Sequence, residues 1–275
     1  MTPDPICQDP LSTDRDFPAA SASVTIQSGG QRLLGYLLMA QGAGPHPTVL
    51  LLHGFPGYER NLDLAHVVRR AGWNAVVFHY RGCWGSQGTY AFAHVLEDVH
   101  AALARLRALD ASYRIDAGKI ALVGHSLGGW AALMAAARDN EVFNVASIAG
   151  FNLGGLARQI DNTPKGLETT VQVLEAEGLE PLSTSAQALA KELAQHGATW
   201  DLIDCATHLA KKRVLLVAAS EDAVAPPHVH HHPLAAALQT HTNAFLDVLI
   251  EADHGFSAKR IALSRVLLDW LSAAP

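Results

Sequence analysis

A serine framed by glycines, Gly124-His125-Ser126-Leu127-Gly128-Gly129, stands between a short apolar run, Lys119 to Val123, and an alanine-rich helix former, Trp130 to Arg138. Strand, tight turn and helix in that order lift a serine Oγ clear of the end of a sheet, and glycines beside it allow backbones to approach where side chains would collide. The helix start adds partial positive charge under the hydroxyl and aims the Leu127 N–H at a developing oxyanion. Such a hydroxyl is a weak nucleophile until a histidine takes its proton and an acid fixes that histidine's tautomer. His254, in Glu251-Ala252-Asp253-His254-Gly255-Phe256, follows the last strand-like run on a glycine-containing loop. Asp222 closes Leu215-Leu216-Val217-Ala218-Ala219-Ser220-Glu221-Asp222, just past the preceding run. The chain order Ser126, Asp222, His254 is the one expected when a G-x-S-x-G turn supplies the nucleophile. Glu221 and Asp253 are the nearest rival acids and read as solvated loop carboxylates.

An oxyanion needs a second backbone donor. His53-Gly54-Phe55-Pro56-Gly57 follows the first parallel-type strand, and a loop there can turn the Phe55 amide toward the same oxygen as the Leu127 amide. His53 itself reads as a structural hydrogen-bonding group, and Arg81 as scaffold rather than substrate contact. Tyr58, Trp84 and Tyr90 are candidates to wall an aromatic or acyl pocket. His228, His230, His231 and His232 form a tract of the kind that binds metals, but neighbouring residues cannot all converge on one ion and no carboxylate or cysteine accompanies them. No functional metal and no cofactor are expected.

The elements that must position these groups alternate. A hairpin is expected from residues 24–26 and 33–39 around Ser28-Gly29-Gly30, followed by strand 48–52, helix 61–71, strand 75–79, helix 95–109, strand 120–123, the helix after Ser126, and strand 145–149. Val95, Val99, Leu103 and Leu106 recur at helical spacing, with Glu97 and Asp98 placed in that helix's first turn. Strand and helix in alternation imply a parallel sheet covered on both faces. Between residues 150 and 213 the rhythm breaks into three helical patterns, 164–177, 185–196 and 200–211, read as a helical cap insertion. Strand 214–219, a helix near 233–239, strand 245–250 and a helix 258–271 then close the core. The expected organisation is an N-terminal arm over 1–20, a core over 21–150 and 213–275, and the cap over 151–212.

The 275 residues are 49% hydrophobic and 17% charged, ample for one large core. A net charge of −6 without a basic patch argues against nucleic acid as a partner. Three widely spaced cysteines, Cys7, Cys83 and Cys205, indicate neither a disulfide framework nor a zinc motif. With no apolar run of membrane-spanning length and no signal-peptide pattern at the start, a cytoplasmic protein without a membrane partner is expected. A homo-oligomer is compatible with this composition.

The strings His53-Gly54-Phe55-Pro56-Gly57, Tyr80-Arg81-Gly82-Cys83-Trp84-Gly85-Ser86-Gln87-Gly88, Gly124 to Gly129, Asp222-Ala223-Val224-Ala225-Pro226 and Asp253-His254-Gly255-Phe256 resemble those of the α/β-hydrolase superfamily. Within it, the chain is similar to the dienelactone hydrolase and prolyl oligopeptidase-like serine esterases, over about residues 28–270. The resemblance implies an α/β-hydrolase fold, a Ser126–Asp222–His254 triad, a Phe55 and Leu127 oxyanion hole, and hydrolysis of a small-molecule carboxylic ester through an acyl-enzyme. A peptide or amide hydrolase and a non-catalytic α/β-hydrolase scaffold are the alternatives. A serine at 126 departs from the cysteine of true dienelactone hydrolases and from the aspartate of dehalogenases and epoxide hydrolases. Ser220 stands where many relatives have glycine.

Overall fold

The apolar runs read above become strands of a single sheet. A computed structural model describes residues 3–109, 111–160, 163–242 and 245–273; the domain limits expected at 1 and 275 lie outside the described residues. The sheet has eight strands in the order β1-β2-β4-β3-β5-β6-β7-β8. Here β1 is Ala20–Ser28, β2 Gln31–Met39, β3 His46–Leu52, β4 Asn74–Phe78, β5 Ile115–His125, β6 Asn144–Ile148, β7 Arg213–Ala219 and β8 Leu246–Ile250. β1 and β2 form the expected hairpin, β2 also runs antiparallel to β4, and the remaining neighbours are parallel.

Successive strand residues point to opposite faces, and both faces are buried. Leu50 and Leu52 of β3 pack with α2 (Phe92–Arg107) and α3 (Leu127–Arg138), while Val49 and Leu51 pack with α1 (Leu62–Arg70) and α10 (Arg260–Ser272). Continuous apolar runs, rather than alternating ones, are the sequence mark of strands covered on two sides. The segment ahead of β1 is tied down along its length: Arg70 donates to the Pro5 carbonyl at 2.6 Å, and Arg114 donates to the carbonyls of Phe17 and Pro18.

Between β6 and β7 lie α4 (Leu153–Ala157), α5 (Pro164–Ala176), α6 (Ala186–His196) and α7 (Ala206–Leu209); α8 (Pro227–His230) and α9 (His232–Gln239) follow β7. Side chains of this helical segment, among them Leu174, Leu189, Leu193 and Trp200, join the same buried cluster as α2 and α3. Trp130 of α3 donates its indole N–H to the Trp200 carbonyl at 2.9 Å.

Three local expectations are corrected. The helix expected from residue 95 begins at Phe92, so Glu97 and Asp98 fall beyond its first turn. The acid at its N-terminus comes from α6 instead: the Glu192 carboxylate accepts the Phe92 and Ala93 amides, both at 2.9 Å. Asp98 turns inward, fully buried, and accepts the Arg81 amide at 2.7 Å and Arg81 Nε at 2.6 Å, while Glu97 pairs with the same guanidinium. The helix expected over 200–211 is broken into a 3-10 turn, Leu202–Cys205, and short α7, because Asp201 is extended and spends its carboxylate on the Ile203 amide, Asn152 Nδ2 and Arg158. A side chain that satisfies local amides competes with helix continuation. α8 is an added turn not expected from the sequence. No helix among the described residues is long and apolar enough to cross a membrane.

Four histidines are packed into this framework. Burial is the leading cause that pushes His53 down to about 3 and His79, His125 and His230 down to about 4. Each is therefore neutral in the folded chain over a range in which the unfolded chain, with ordinary values near 6.5, is taking up protons.

Two outcomes are expected. Asp98→Ala leaves the Arg81 guanidinium short of its buried partner and lowers unfolding free energy by about 3 kcal/mol, read from urea midpoints. Because the unfolded state binds the additional protons, stability is full above about pH 6.5 and declines as pH falls toward about 4; a urea midpoint that holds constant across that window would contradict the neutral burial of these rings.

Candidate active site

The turn after β5 puts Ser126 at φ 56° and ψ −122°, a conformation that side-chain-bearing residues rarely adopt. The surrounding backbone holds it there. The Ser126 amide donates to the Ile148 carbonyl at 2.9 Å, and the Ser126 carbonyl accepts the Gly129 amide at 2.9 Å and the Phe151 amide at 3.1 Å. α3 begins immediately, and a Cβ at Gly128 would overlap the Leu52 carbonyl, so only glycine lets that helix start so close to β3. At Gly54 a Cβ would come within 3.0 Å of Ser126 Cβ, which places the loop after β3 directly against the serine.

That loop, the turn after β5, and the loops after β7 and β8 all leave the carboxyl edge of the sheet, where parallel strands gather functional groups. His254 Nδ1 lies 2.7 Å from Asp222 Oδ2. The other carboxylate oxygen, Asp222 Oδ1, accepts the amides of Val224 at 2.9 Å and Ala225 at 2.7 Å. Burial pushes the Asp222 carboxyl up, but the His254 hydrogen bond and the Ala225 and Val224 amides outweigh it and hold the group below the usual carboxylate range. An ionised Asp222 accepts from Nδ1–H, so the proton sits on that nitrogen and Nε2 keeps its lone pair. Ser126 Oγ makes no hydrogen bond among the described residues, so its proton is not committed elsewhere. Glu221 is exposed, and Asp253 is spent on the Ser257 amide at 2.7 Å.

The Leu127 amide is the first of α3, where helix geometry leaves an N–H without an internal partner. The Phe55 amide, in the loop against Ser126, makes no bond to a backbone carbonyl among the described residues. Both donors are thus available beside the serine.

A narrow cleft of about 100 Å³ opens over Ser126, walled by Phe55, Phe92, Leu127, Phe151, Leu153, Leu156, Val173, Leu174, Leu193 and Val224, with Glu177 the ionisable residue among the described lining. The residues singled out from the sequence as pocket walls lie elsewhere. Tyr90 is buried behind the wall, packed on Phe55 and Phe92 at ring distances of 5.8 and 6.0 Å. Trp84 donates its indole N–H to the Pro56 carbonyl at 3.1 Å and stacks under the Arg60 guanidinium, and Tyr58, 60% exposed, packs edge-on to it. Aromatic residues at loop mouths are read correctly as packing groups only once the loops are folded.

Sequence reasoning missed several groups. The His125 ring, beside the serine, lies 4.8 Å from that of His254, and its Nε2–H donates to the His254 carbonyl at 2.8 Å, fastening the histidine loop to the serine turn. Phe151 sits three residues past the end of β6 and Val224 two past Asp222, positions that could have flagged them. Phe92, Leu153, Leu156, Val173 and Glu177 carried no such signal. The histidine tract diverges, and one part of its reading is corrected, since a carboxylate does accompany it: His231 pairs with Asp247 at 2.7 Å, while His230 stacks on Phe151 at 4.2 Å and accepts the Asn152 amide, and His228 and His232 face solvent.

Comparison with known proteins bears on the fold and the family. Over 145 residues, 50% of this chain, the sequence is 31% identical to the quorum-quenching protein AidA of Acinetobacter baumannii, and the match spans about half (47%) of that protein. Among solved structures, Est1E of Butyrivibrio proteoclasticus with bound ferulic acid superposes with a TM-score of 0.74 at 17% identity, covering 90% of this chain and 98% of that one. The acylaminoacyl peptidase of Pyrococcus horikoshii gives 0.68 at 16% identity, over 95% of this chain and 42% of that one. At such identities these two likenesses concern the fold. The model of the alpha/beta hydrolase family matches residues 49–260, from within β3 through β8 and including Ser126, Asp222 and His254, and the chain belongs to that family.

Proposed function

We propose that the protein is a serine hydrolase that cleaves carboxylic esters with an apolar acyl group through an acyl-enzyme on Ser126. The observation that carries this reading is the buried, ionised Asp222 held 2.7 Å from His254 Nδ1, on the same sheet edge as a serine in a strained turn. In the first step Ser126 Oγ attacks the ester carbonyl while His254 Nε2 takes its proton, and the Leu127 and Phe55 amides receive the tetrahedral oxyanion. His254 then returns the proton to the departing alcohol. Water, deprotonated by the same histidine, attacks the acyl-enzyme, and Ser126 recovers its proton as the acid is released. Asp222 keeps the imidazole in the required tautomer and stabilises its charged form.

The acyl group fits the cleft because nearly every lining side chain is aliphatic or phenyl. The segment between β6 and β7 contributes Leu153, Leu156, Val173, Leu174 and Leu193 to that wall, so we read it as a cap that sets the size of the acyl group. Five apolar residues in this segment share helical spacing. Of them, Leu174 and Leu193 line the cleft, Leu189 packs in the core, and Leu167 and Val171 line a separate surface groove. Amide or peptide hydrolysis is the second reading. It is favoured by Glu177 at the cleft, a carboxylate suited to a cationic amine, and by the likeness to an acylaminoacyl peptidase. The substrate on either reading is a small molecule, and three free cysteines suit a reducing cytoplasm.

Ser126→Ala is expected to lower ester turnover by at least about 10⁴-fold with the fold unchanged, and a fluorophosphonate probe to label the wild type at Ser126 alone. Full activity in that variant, or labelling at another residue, rejects the mechanism. Leu174→Ala and Leu193→Ala enlarge the cleft and should shift kcat/KM toward longer or bulkier p-nitrophenyl esters by roughly tenfold, whereas Leu167→Ala and Val171→Ala leave the chain-length profile as it is. Faster turnover of aminoacyl p-nitroanilides than of any ester would favour the second reading.

A further inference from the structure

Behind the loop that carries the Phe55 amide, a second group of reactive side chains converges. We propose that His53, His79 and Cys83 form a binding site for one thiophilic metal ion, of the zinc or copper(I) class. They are the one group of three among the described His, Cys, Asp and Glu residues whose donor atoms cluster, all lying within 4.8 Å of one another. The three come from neighbouring places in the fold. His53 follows β3, His79 and Cys83 follow β4, and β3 and β4 are adjacent parallel strands, so the sheet itself holds the two loops side by side.

The donor atoms are free to coordinate. His53 Nδ1 lies 2.8 Å from the Gly54 carbonyl, which can only accept, so this nitrogen carries the ring proton. A backbone carbonyl holding one imidazole N–H is the usual support for metal ligation through the other nitrogen. That other nitrogen, Nε2, presents its lone pair to Cys83 Sγ at 3.9 Å. His79 Nδ1 is buried and has no hydrogen-bond partner among the described residues. Leaving a buried polar nitrogen unsatisfied is unfavourable, and a metal ion supplies the missing partner. Cys83 is wholly buried, with the Pro56 carbonyl at 3.8 Å as its other polar neighbour.

Two imidazoles and a thiolate are a borderline-soft donor set, suited to zinc or copper(I) rather than to magnesium or calcium. Ligands bonded to zinc at about 2.0 to 2.3 Å stand roughly 3.5 Å apart, so the cluster needs to close by about 1 Å. Binding breaks the Cys83 S–H bond, forms the metal–sulfur bond and releases the proton to water. The thiolate so formed offsets the nearby Arg60 guanidinium, which stacks on Trp84 at 4.3 Å. A fourth ligand, water or the Pro56 carbonyl, completes the set. The bound ion would tie the loop from His53 to Gly57 to the loop after β4, and Gly54 of that loop touches Ser126. An effect on turnover rests on the proposed hydrolase function, while binding itself does not.

The test uses the full chain, treated with chelator and reductant and titrated with Co²⁺ as a spectroscopic stand-in for zinc. A sulfur-to-cobalt charge-transfer band in the near ultraviolet should saturate at one equivalent and disappear when zinc is added. It should be lost in Cys83→Ser and require at least about tenfold more cobalt in His79→Ala, with circular dichroism and urea midpoints reporting that both variants remain folded. Absence of the band in the wild type overturns the proposal. So does a band that survives Cys83→Ser, which would place the thiolate at Cys7 or Cys205, or an unchanged titration in His79→Ala. Weak cobalt binding by the surface histidines near residue 230 gives no sulfur band and counts as absence.

Discussion

The approach of the start of α3 to the end of β3 is the constraint on which the rest of the structure depends. Because Gly128 has no side chain, the helix begins against the Leu52 carbonyl, and the turn between β5 and α3 is forced into the positive-φ conformation that Ser126 occupies. Strain of this kind persists only where the surroundings over-determine it. Here the Ile148 carbonyl and the Gly129 and Phe151 amides fix Ser126 from both sides, so the central strands β3, β5 and β6 together decide where its hydroxyl points.

The pairing of His254 with Asp222 is built differently, from two loops that meet only in three dimensions. Each loop is pinned by backbone contacts. Asp222 gathers the Val224 and Ala225 amides into its carboxylate, and His125 holds the His254 carbonyl. Burial alone would favour a neutral acid at Asp222. Three hydrogen bonds outweigh it, and the same bonds that keep the charge also shape the loop. Solvation lost on burial is replaced by fixed dipoles already pointing at the charge. At the loop after β4 the balance falls the other way: the Arg81 guanidinium and the Asp98 carboxylate are buried together and paired, yet burial pushes the Asp98 carboxyl above its usual range.

The helical segment between β6 and β7 is part of the core rather than a loose cover. Glu192 from α6 caps the first turn of α2, Trp200 receives the Trp130 indole, and residues 182–183 pair with the loop after β4. These bonds fix the wall formed by Leu174 and Leu193 relative to Ser126. The shape of the cleft is therefore set by the same interactions that stabilise the domain.

Strand and helix order, the turn bearing Ser126, and the places of Asp222 and His254 after β7 and β8 were legible in the chain itself. They depend on local periodicity, on glycines at close approaches, and on the rule that a parallel sheet collects loops at one edge. The positions of Phe55 and Leu127, just past the ends of β3 and β5, were legible on the same ground. The start of α2 was not, since its capping acid lies a hundred residues away at Glu192. Nor was the break at Asp201, whose partners Asn152 and Arg158 belong to another turn. The cleft walls were misjudged for a related reason: Tyr58, Trp84 and Tyr90 sit on the right edge of the sheet, but which way an aromatic ring turns depends on neighbours such as Phe55, Pro56 and Arg60 that only the folded loops bring near. Convergence of His53, His79 and Cys83 is of the same kind. Periodicity and turn chemistry are properties of adjacent residues and can be read along the chain, whereas side-chain direction in loops is decided by packing between distant segments, and that exists only in the tertiary structure.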